Sequence, residues 1–116
     1  MADQETPLFT KLYQFSIKLY QAVKKMPKRD RYVLGARLEN NCQIILENDI
    51  AAETANKNEK LLYLKTANKK LELLKVQLRM ANEINLLNDK VYLELESDLQ
   101  ESGKMLGGWI RYQNKL

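Results

Sequence analysis

Residues 60–82, KLLYLKTANKKLELLKVQLRMAN, carry the pattern that decides the fold. Apolar residues recur there at alternating spacings of three and four, which places them on one face of an α-helix. That face comprises Leu64, Ala67, Leu71, Leu74, Leu78 and Ala81. An apolar face of this kind is stable only when it is buried against neighbouring helices. The stretch therefore predicts one member of a helical bundle.

Three further segments show helical periodicity. Thr6-Pro7 is typical of a helix start, and Pro27 ends that first helix. The predicted helices cover residues 7–26, 29–53, 59–85 and 89–111, and no segment alternates with period two for long enough to indicate a strand. Short links force antiparallel neighbours, so residues 1–116 are predicted to form a single all-α domain, an antiparallel up-down-up-down four-helix bundle. An extended coiled-coil array is the main alternative, and Pro27 and the polar breaks disfavour it.

The second predicted helix has the weakest periodicity. Leu34, Leu38, Ile45 and Ala52 lie close to one face together with Cys42 or Asn41. Other apolar residues widen this surface: Ile44, Leu46 and Ile50. A helix that is apolar on more than one side usually has more than one neighbour. Cys42 is interpreted as a small buried hydrophobe.

The composition excludes several classes of enzyme. The chain has 116 residues, no histidine and one cysteine. Zinc sites built from His and Cys, and Ser-His-Asp or Cys-His catalysis, therefore cannot form within one chain. No metal or other cofactor is expected, and an enzyme would need a site shared between subunits. The single thiol, the absence of an apolar run of about 18 residues and the acidic N-terminus predict a cytoplasmic protein without membrane contact.

The net charge of +4 conceals blocks of alternating sign. Residues 1–38, 60–82 and 104–116 carry +5, +5 and +3, whereas residues 39–59 and 83–103 carry −4 and −5. The densest basic cluster comprises Lys24, Lys25, Lys28, Arg29 and Arg31. Such clusters attract nucleic-acid phosphates, and blocks of opposite sign favour head-to-tail pairing between copies, which closes into a ring. For the lysines of the third helix, a solvated helix face is the favoured alternative.

Glycines are concentrated near the end of the chain. Gly103, Gly107 and Gly108 lie within six residues, and each costs a helix roughly 1 kcal/mol relative to alanine. They either end the last helix or let another backbone approach closely, and Gly35 raises the same question in the second helix. Trp109 is interpreted as a core or interface anchor.

Three carboxylates share one face of the last predicted helix: Glu94, Asp98 and Glu101. Two interpretations of this face are open. A solvated or subunit-facing surface is the favoured one, because clustered acidic residues on helices are usually exposed. A bound Mg²⁺ is the alternative, since carboxylate oxygens are among the ligands that this ion takes in proteins.

Three stretches of the chain form a recognisable combination. They are Met26-Pro27-Lys28 followed by Arg31-Tyr32-Val33-Leu34-Gly35 and Arg37; Leu78-Arg79-Met80-Ala81; and Gly103-Lys104-Met105-Leu106-Gly107-Gly108-Trp109. Together they resemble the Avd family, the accessory variability proteins of diversity-generating retroelements. The last stretch is the most specific, and the resemblance extends over about residues 8–111. Avd is related to the four-helix-bundle proteins encoded in intervening sequences of bacterial ribosomal RNA genes.

The resemblance implies a non-enzymatic, basic bundle that forms a homopentamer and binds a reverse transcriptase and its template RNA or cDNA. Such a complex makes mutagenised cDNA that diversifies a target gene. A scaffold or RNA-binding protein of the ribosomal-RNA intervening-sequence group, without a retroelement role, is the alternative. Candidate residues for binding RNA or the transcriptase are Lys24, Lys25, Lys28, Arg29, Arg31, Arg37, Lys75, Arg79, Lys104 and Arg111. Candidate packing or interface residues are Gly35, Gly103, Gly107, Gly108 and Trp109.

Overall fold

The computed structural model describes residues 6–116, which form four long helices and no strand. Helix α1 covers Pro7–Lys24. Helix α2 covers residues 28–54 and consists of one turn (Lys28–Asp30), a π-helical segment (Arg31–Gly35) and a regular body (Ala36–Thr54). Helix α3 covers Lys57–Glu83, and α4 covers Asp89–Lys115. In this described part of the chain, no helix is long and apolar enough to cross a membrane.

Polar side chains define three of the four helix starts. The side-chain oxygens of Thr6, Asn56 and Asn88 each accept a hydrogen bond from the backbone N–H three residues later, at 2.9–3.1 Å. These caps satisfy donors that lack a partner in the first helical turn. Asn85 adopts a φ of 65° in the turn after α3, a conformation that asparagine tolerates better than most residues.

Contacts between helices establish their relative directions. Residue numbers rise along one helix as they fall along its neighbour, in the pairs Thr6–Glu53, Ser16–Cys42, Lys11–Glu101, Lys18–Asp98 and Asn41–Gln77. Between α3 and α4 the same trend holds in the pairs Lys60–Trp109, Leu71–Gly103 and Asn82–Asp89. Each helix is therefore antiparallel to the next, and α4 returns to pack against α1. The described residues measure 46 × 23 × 21 Å, a length matched by a single 27-residue helix of about 40 Å. The predicted antiparallel four-helix bundle is confirmed, and the extended array is excluded.

The core is a column of leucines to which every helix contributes. The six residues of the α3 face predicted from the sequence, from Leu64 to Ala81, are all 0% exposed. Phe15 and Leu19 of α1 meet this column, as do Leu38 of α2 and Leu99 of α4. The buried face of α2 also includes Asp49, which lies between Ile45 and Ala52. The apolar pattern of the sequence did not include this residue, although it is completely buried.

The helix ends differ from the expected ones by a few residues. Helix α1 ends at Lys24 rather than residue 26, because the backbone N–H of Met26 turns back to the carbonyl of Val23. The link before α3 shortens to residues 55–56, since Asn56 caps that helix. Helix α4 continues through its glycines to Lys115, four residues beyond the expected end, and no glycine has the positive φ of a helix terminus.

Candidate nucleic-acid interface

The basic cluster occupies the end of the bundle where α1 passes into α2. We call it the basic tip, and it comprises Lys24, Lys25, Lys28, Arg29 and Arg31. None of the five forms an ion pair within residues 6–116. Lys28 and Arg29 are exposed in the first turn of α2, where the positive end of the helix dipole disfavours cations. Their position weakens the isolated fold, and an anionic partner would relieve this cost.

A π-helical segment shapes the tip. Segments of this kind are frequent at functional sites. In this one, a Cβ added to Gly35 would lie 2.7 Å from Val23 Cγ1, closer than real Cβ atoms approach, and 3.2 Å from the backbone oxygen of Asp30, a tight contact. Gly35 therefore lets the start of α2 pack directly on α1. The wider turn around it carries Arg31, which is half-buried, and Tyr32, which is exposed.

A cavity of about 310 Å³ opens beside the π-helical segment, and we call it the tip pocket. Its polar and aromatic lining comprises Tyr20, Lys24, Arg31, Tyr32 and Glu39, and Val23 and Ala36 form its apolar part. Tyr20 is 60% exposed and Tyr32 73%. The Nε atom of Arg31 is enclosed and has no hydrogen-bond partner in the described chain. Partial burial raises the pKa of Glu39 above its usual range.

The tip is divided between two sides of the bundle. Lys24 and Arg31 line the tip pocket between α1 and α2. Lys25 lines a different cavity, of about 240 Å³, between α1 and α4, where Glu94 is also present. Arg37 lies one turn farther along α2, exposed and beside Tyr32. The strongest concentration of unpaired positive charge is therefore on the α1–α2 side.

The remaining basic candidates lie apart from the tip. Arg79 is exposed in the last turns of α3, at the same end of the bundle as the tip. Lys75 hydrogen-bonds Glu72 at 3.4 Å and borders a shallow surface with Lys104. Arg111 lies near the end of α4, at the opposite end of the bundle. The structure therefore does not bring Lys104 and Arg111 together with the tip.

The candidate packing residues behave differently from one another. Cβ atoms added at Gly103, Gly107 and Gly108 would meet other atoms only at 3.4–3.8 Å, an ordinary contact distance, so close packing within one chain requires only Gly35. Trp109 is half-buried against the core, and Lys60 Nζ lies 6.0 Å from the centre of its ring. The indole is therefore an anchor within the bundle.

The carboxylate face of α4 lies along α1, where two lysines neutralise it. Lys18 Nζ is 3.2 Å from Glu94 and 3.0 Å from Asp98, and Lys11 pairs with Glu101. Hydrogen bonds from the two carboxylates raise the pKa of Lys18, and the bond from Lys11 lowers the pKa of Glu101. Glu94 and Glu101 remain about half exposed, at 54% and 53%, so this face is a solvated surface, as the favoured interpretation had it, and its carboxylates pair with lysines of α1. Across residues 6–116, no group of three or more metal-binding side chains is placed to hold an ion.

Two features escaped the sequence analysis. Tyr20 and Tyr32 flank the basic residues in sequence, and both line the tip pocket. Aromatic residues interleaved with lysine and arginine are the sequence pattern that could have indicated this site. Asp49 continues the three-and-four spacing of Leu38, Cys42 and Ile45, so position alone marked it as buried. Its residue type concealed this, because aspartate is rarely buried without a partner.

The fold and the basic tip together define the class of protein, which is a small, basic four-helix bundle with a cation-rich end. A solved structure of this fold is a protein of unknown function from the S23 ribosomal protein family of Bacteroides thetaiotaomicron VPI-5482. It is 18% identical and has a TM-score of 0.83, with 90% of this chain and 95% of that chain covered, which shows the shared fold. A search of curated proteins found no match. The bAvd-like family model matches residues 8–113, so the chain belongs to the bAvd-like family.

Proposed function

We propose that this protein is a non-enzymatic accessory subunit of a diversity-generating retroelement, acting in the cytoplasm. In this role it binds the element's reverse transcriptase and template RNA and supports mutagenic cDNA synthesis. Family membership supports the retroelement role. The observation that carries RNA binding is the basic tip, whose five cations form no ion pair within residues 6–116. Phosphates would neutralise this charge and release counterions.

A scaffold of the ribosomal-RNA intervening-sequence group is the second candidate. The fold shared with a member of the S23 ribosomal protein family favours it. Genomic neighbourhood separates the two candidates, because only the retroelement role requires a reverse transcriptase gene and an imperfect repeat nearby. Both candidates allow RNA binding, so the neighbourhood and the binding assay answer different questions.

Self-association is part of the proposal. An exposed apolar stripe, which we call the outer stripe, runs along α3 and comprises Leu62, Leu73, Val76, Met80 and Ile84, each 41–65% exposed. Basic side chains flank it, within a block of charge +5. Between α1 and α2 lies a groove of about 480 Å³, which we call the side groove. It is lined by Tyr13, Ile17 and Leu46 and by one residue of each charge, Lys24 and Glu39, which also line the tip pocket.

Both surfaces are largely apolar, so the outer stripe of one copy is proposed to dock in the side groove of the next. A contact between two different surfaces is head-to-tail, and it closes into a ring when the rotation between copies allows. Five copies is the number that the family resemblance implies. Burial of an apolar side chain such as Met80 contributes roughly 1.5–3 kcal/mol, which drives this kind of association.

Charge reversal at the tip tests RNA binding. The triple variant Lys28→Glu, Arg29→Glu and Arg31→Glu is expected to bind structured RNA at least about 10-fold more weakly at low salt in a gel shift. Loss of three phosphate contacts also lowers the dependence of log affinity on log salt by about 2. The measurement compares affinities over a series of salt concentrations.

A variant with the same change in charge at the opposite end is the control: Lys57→Glu, Lys60→Glu and Lys115→Glu. It is expected to retain most of its affinity for RNA, because its three substitutions lie away from the tip. An effect of net charge alone would weaken both variants equally. Equal weakening of the two would show that binding does not use the tip. Absence of RNA retention by the unmodified protein at low salt would contradict the RNA-binding role itself.

A further inference from the structure

The tip pocket combines features that the basic charge alone does not explain. Tyr20 from α1 and Tyr32 from α2 line the same cavity, and most of each ring is in water. Large exposed aromatic residues grouped around a cavity are typical of binding sites rather than of neutral surface. Aromatic faces beside cations are also the combination that single-stranded nucleic acids use, since every base stacks on such a face.

Two cations line the pocket, Arg31 and Lys24. The Nε atom of Arg31 is enclosed and has no partner in the described chain, although buried donors are nearly always paired. The other N–H groups of this guanidinium suit a phosphate in the pocket, because guanidinium groups bind phosphate through several parallel N–H groups. Arg31 and Tyr32 both line the pocket, so one ligand can make a phosphate contact and a stacking contact there.

Glu39 adds a different chemistry to the lining of the pocket. It is half-buried and lines the pocket together with the basic residues. A carboxylate repels phosphate but accepts hydrogen bonds from the amino groups on base edges. The pocket therefore offers donors for a phosphate and an acceptor for a base. Its volume of about 310 Å³ is at the lower end of the range for small-molecule sites, about 300–1,000 Å³.

We propose that the tip pocket binds one unpaired nucleotide of RNA, with its base stacked on Tyr32 and Tyr20 and its phosphate held by Arg31 and Lys24. This inference rests on the proposed RNA-binding function and specifies the form of RNA that the tip selects. A base inside a duplex is stacked on its neighbours and cannot enter the pocket, whereas loops, bulges and single strands present bases freely. The protein therefore prefers single-stranded RNA, or the unpaired part of a structured RNA, over duplex.

The test measures binding of the full chain to a short fluorescent single-stranded RNA and to the same RNA annealed to its complement, by anisotropy. The unmodified protein is expected to bind the single strand more tightly. Tyr32→Ala is expected to weaken single-strand binding roughly 5- to 100-fold, the scale of one base–aromatic stack, and to leave duplex binding unchanged. Tyr32→Trp, which keeps an aromatic face, is expected to retain the preference.

Tyr112→Ala is the matched control, because Tyr112 is 59% exposed in the last turns of α4, far from the tip. It is expected to leave both affinities unchanged. Equal affinity for single strand and duplex in the unmodified protein would overturn the inference while leaving RNA binding in place. Unchanged single-strand binding by Tyr32→Ala would also overturn it. So would a loss of single-strand affinity in Tyr32→Ala that is accompanied and explained by a loss of self-association. Failure to bind either RNA would overturn the proposed function as well.

Discussion

Replacing Asp49 with asparagine is expected to raise the melting temperature of this protein by about 10 °C near neutral pH. Asp49 is 0% exposed, and neither of its carboxylate oxygens has a hydrogen-bond partner in the described chain. Burial of a carboxylate without a partner opposes folding. Asparagine has nearly the same shape and carries no charge, so the substitution removes the electrostatic part of this cost.

The effect depends on pH in a defined direction. Burial, with a smaller contribution from the neighbouring charge of Glu53, raises the pKa of Asp49 to about 6. An ordinary aspartate has a pKa of about 3.9, so the folded state holds the proton more tightly than the unfolded chain between these values. The contribution of Asp49 is therefore most favourable below about pH 4, falls as the pH rises to about 6 and then stays constant, with a total loss of about 3 kcal/mol.

Thermal melts followed by circular dichroism test both statements. The difference between Asp49→Asn and the unmodified protein is expected to be large at about pH 7.5 and to vanish near about pH 4. Comparing the two proteins at each pH cancels the titration of other groups, such as Glu101. Glu47→Gln, an exposed change on the same helix, is the control and is expected to leave the melting temperature unchanged. A lower melting temperature for Asp49→Asn at neutral pH would show that the carboxylate has a favourable partner.

Introducing glutamate into the outer stripe is expected to convert the assembly to monomers. Val76→Glu with Met80→Glu places two charges on a surface that the proposed interface buries. Each lost apolar contact removes roughly 1.5–3 kcal/mol, and burial of two unpaired carboxylates adds a further cost. Light scattering at micromolar concentration is expected to give a multiple of 13.6 kDa for the unmodified protein and 13.6 kDa for the variant.

Leu93→Glu controls for the loss of an exposed apolar side chain elsewhere, because Leu93 is 60% exposed on α4. This variant is expected to keep the mass of the unmodified protein. A mass of 13.6 kDa for the unmodified protein would show a monomer and contradict the proposed ring. An undiminished mass for the double variant would instead place the interface on another surface.

Most of the fold could be predicted from the sequence, because the helices are encoded in the spacing of apolar residues and in the residues at the helix starts. The α3 face from Leu64 to Ala81 is continuous and apolar, and each of its residues is in the core. Thr6, Asn56 and Asn88 begin helices because their side chains bond to backbone groups only three residues away. Such short-range interactions require no knowledge of the neighbouring helices.

The features that sequence analysis did not predict depend on contacts between helices. The π-helical segment requires the approach of Gly35 to Val23, which are 12 residues apart on different helices. The pairing of Lys18 with Glu94 and Asp98 requires closure of the bundle between α1 and α4. The tip pocket likewise needs two helices to bring its aromatic residues together. Charge blocks along the sequence located the tip and did not reveal which side of it carries the pocket.

Reconstitution of cDNA synthesis tests the central claim most directly. The measurement combines the reverse transcriptase of the same element with its template RNA, with and without this protein, and quantifies the cDNA made. We expect the protein to co-elute with the transcriptase, to increase the cDNA yield and to make no cDNA by itself. An unchanged yield together with the absence of co-elution would rule out the accessory role.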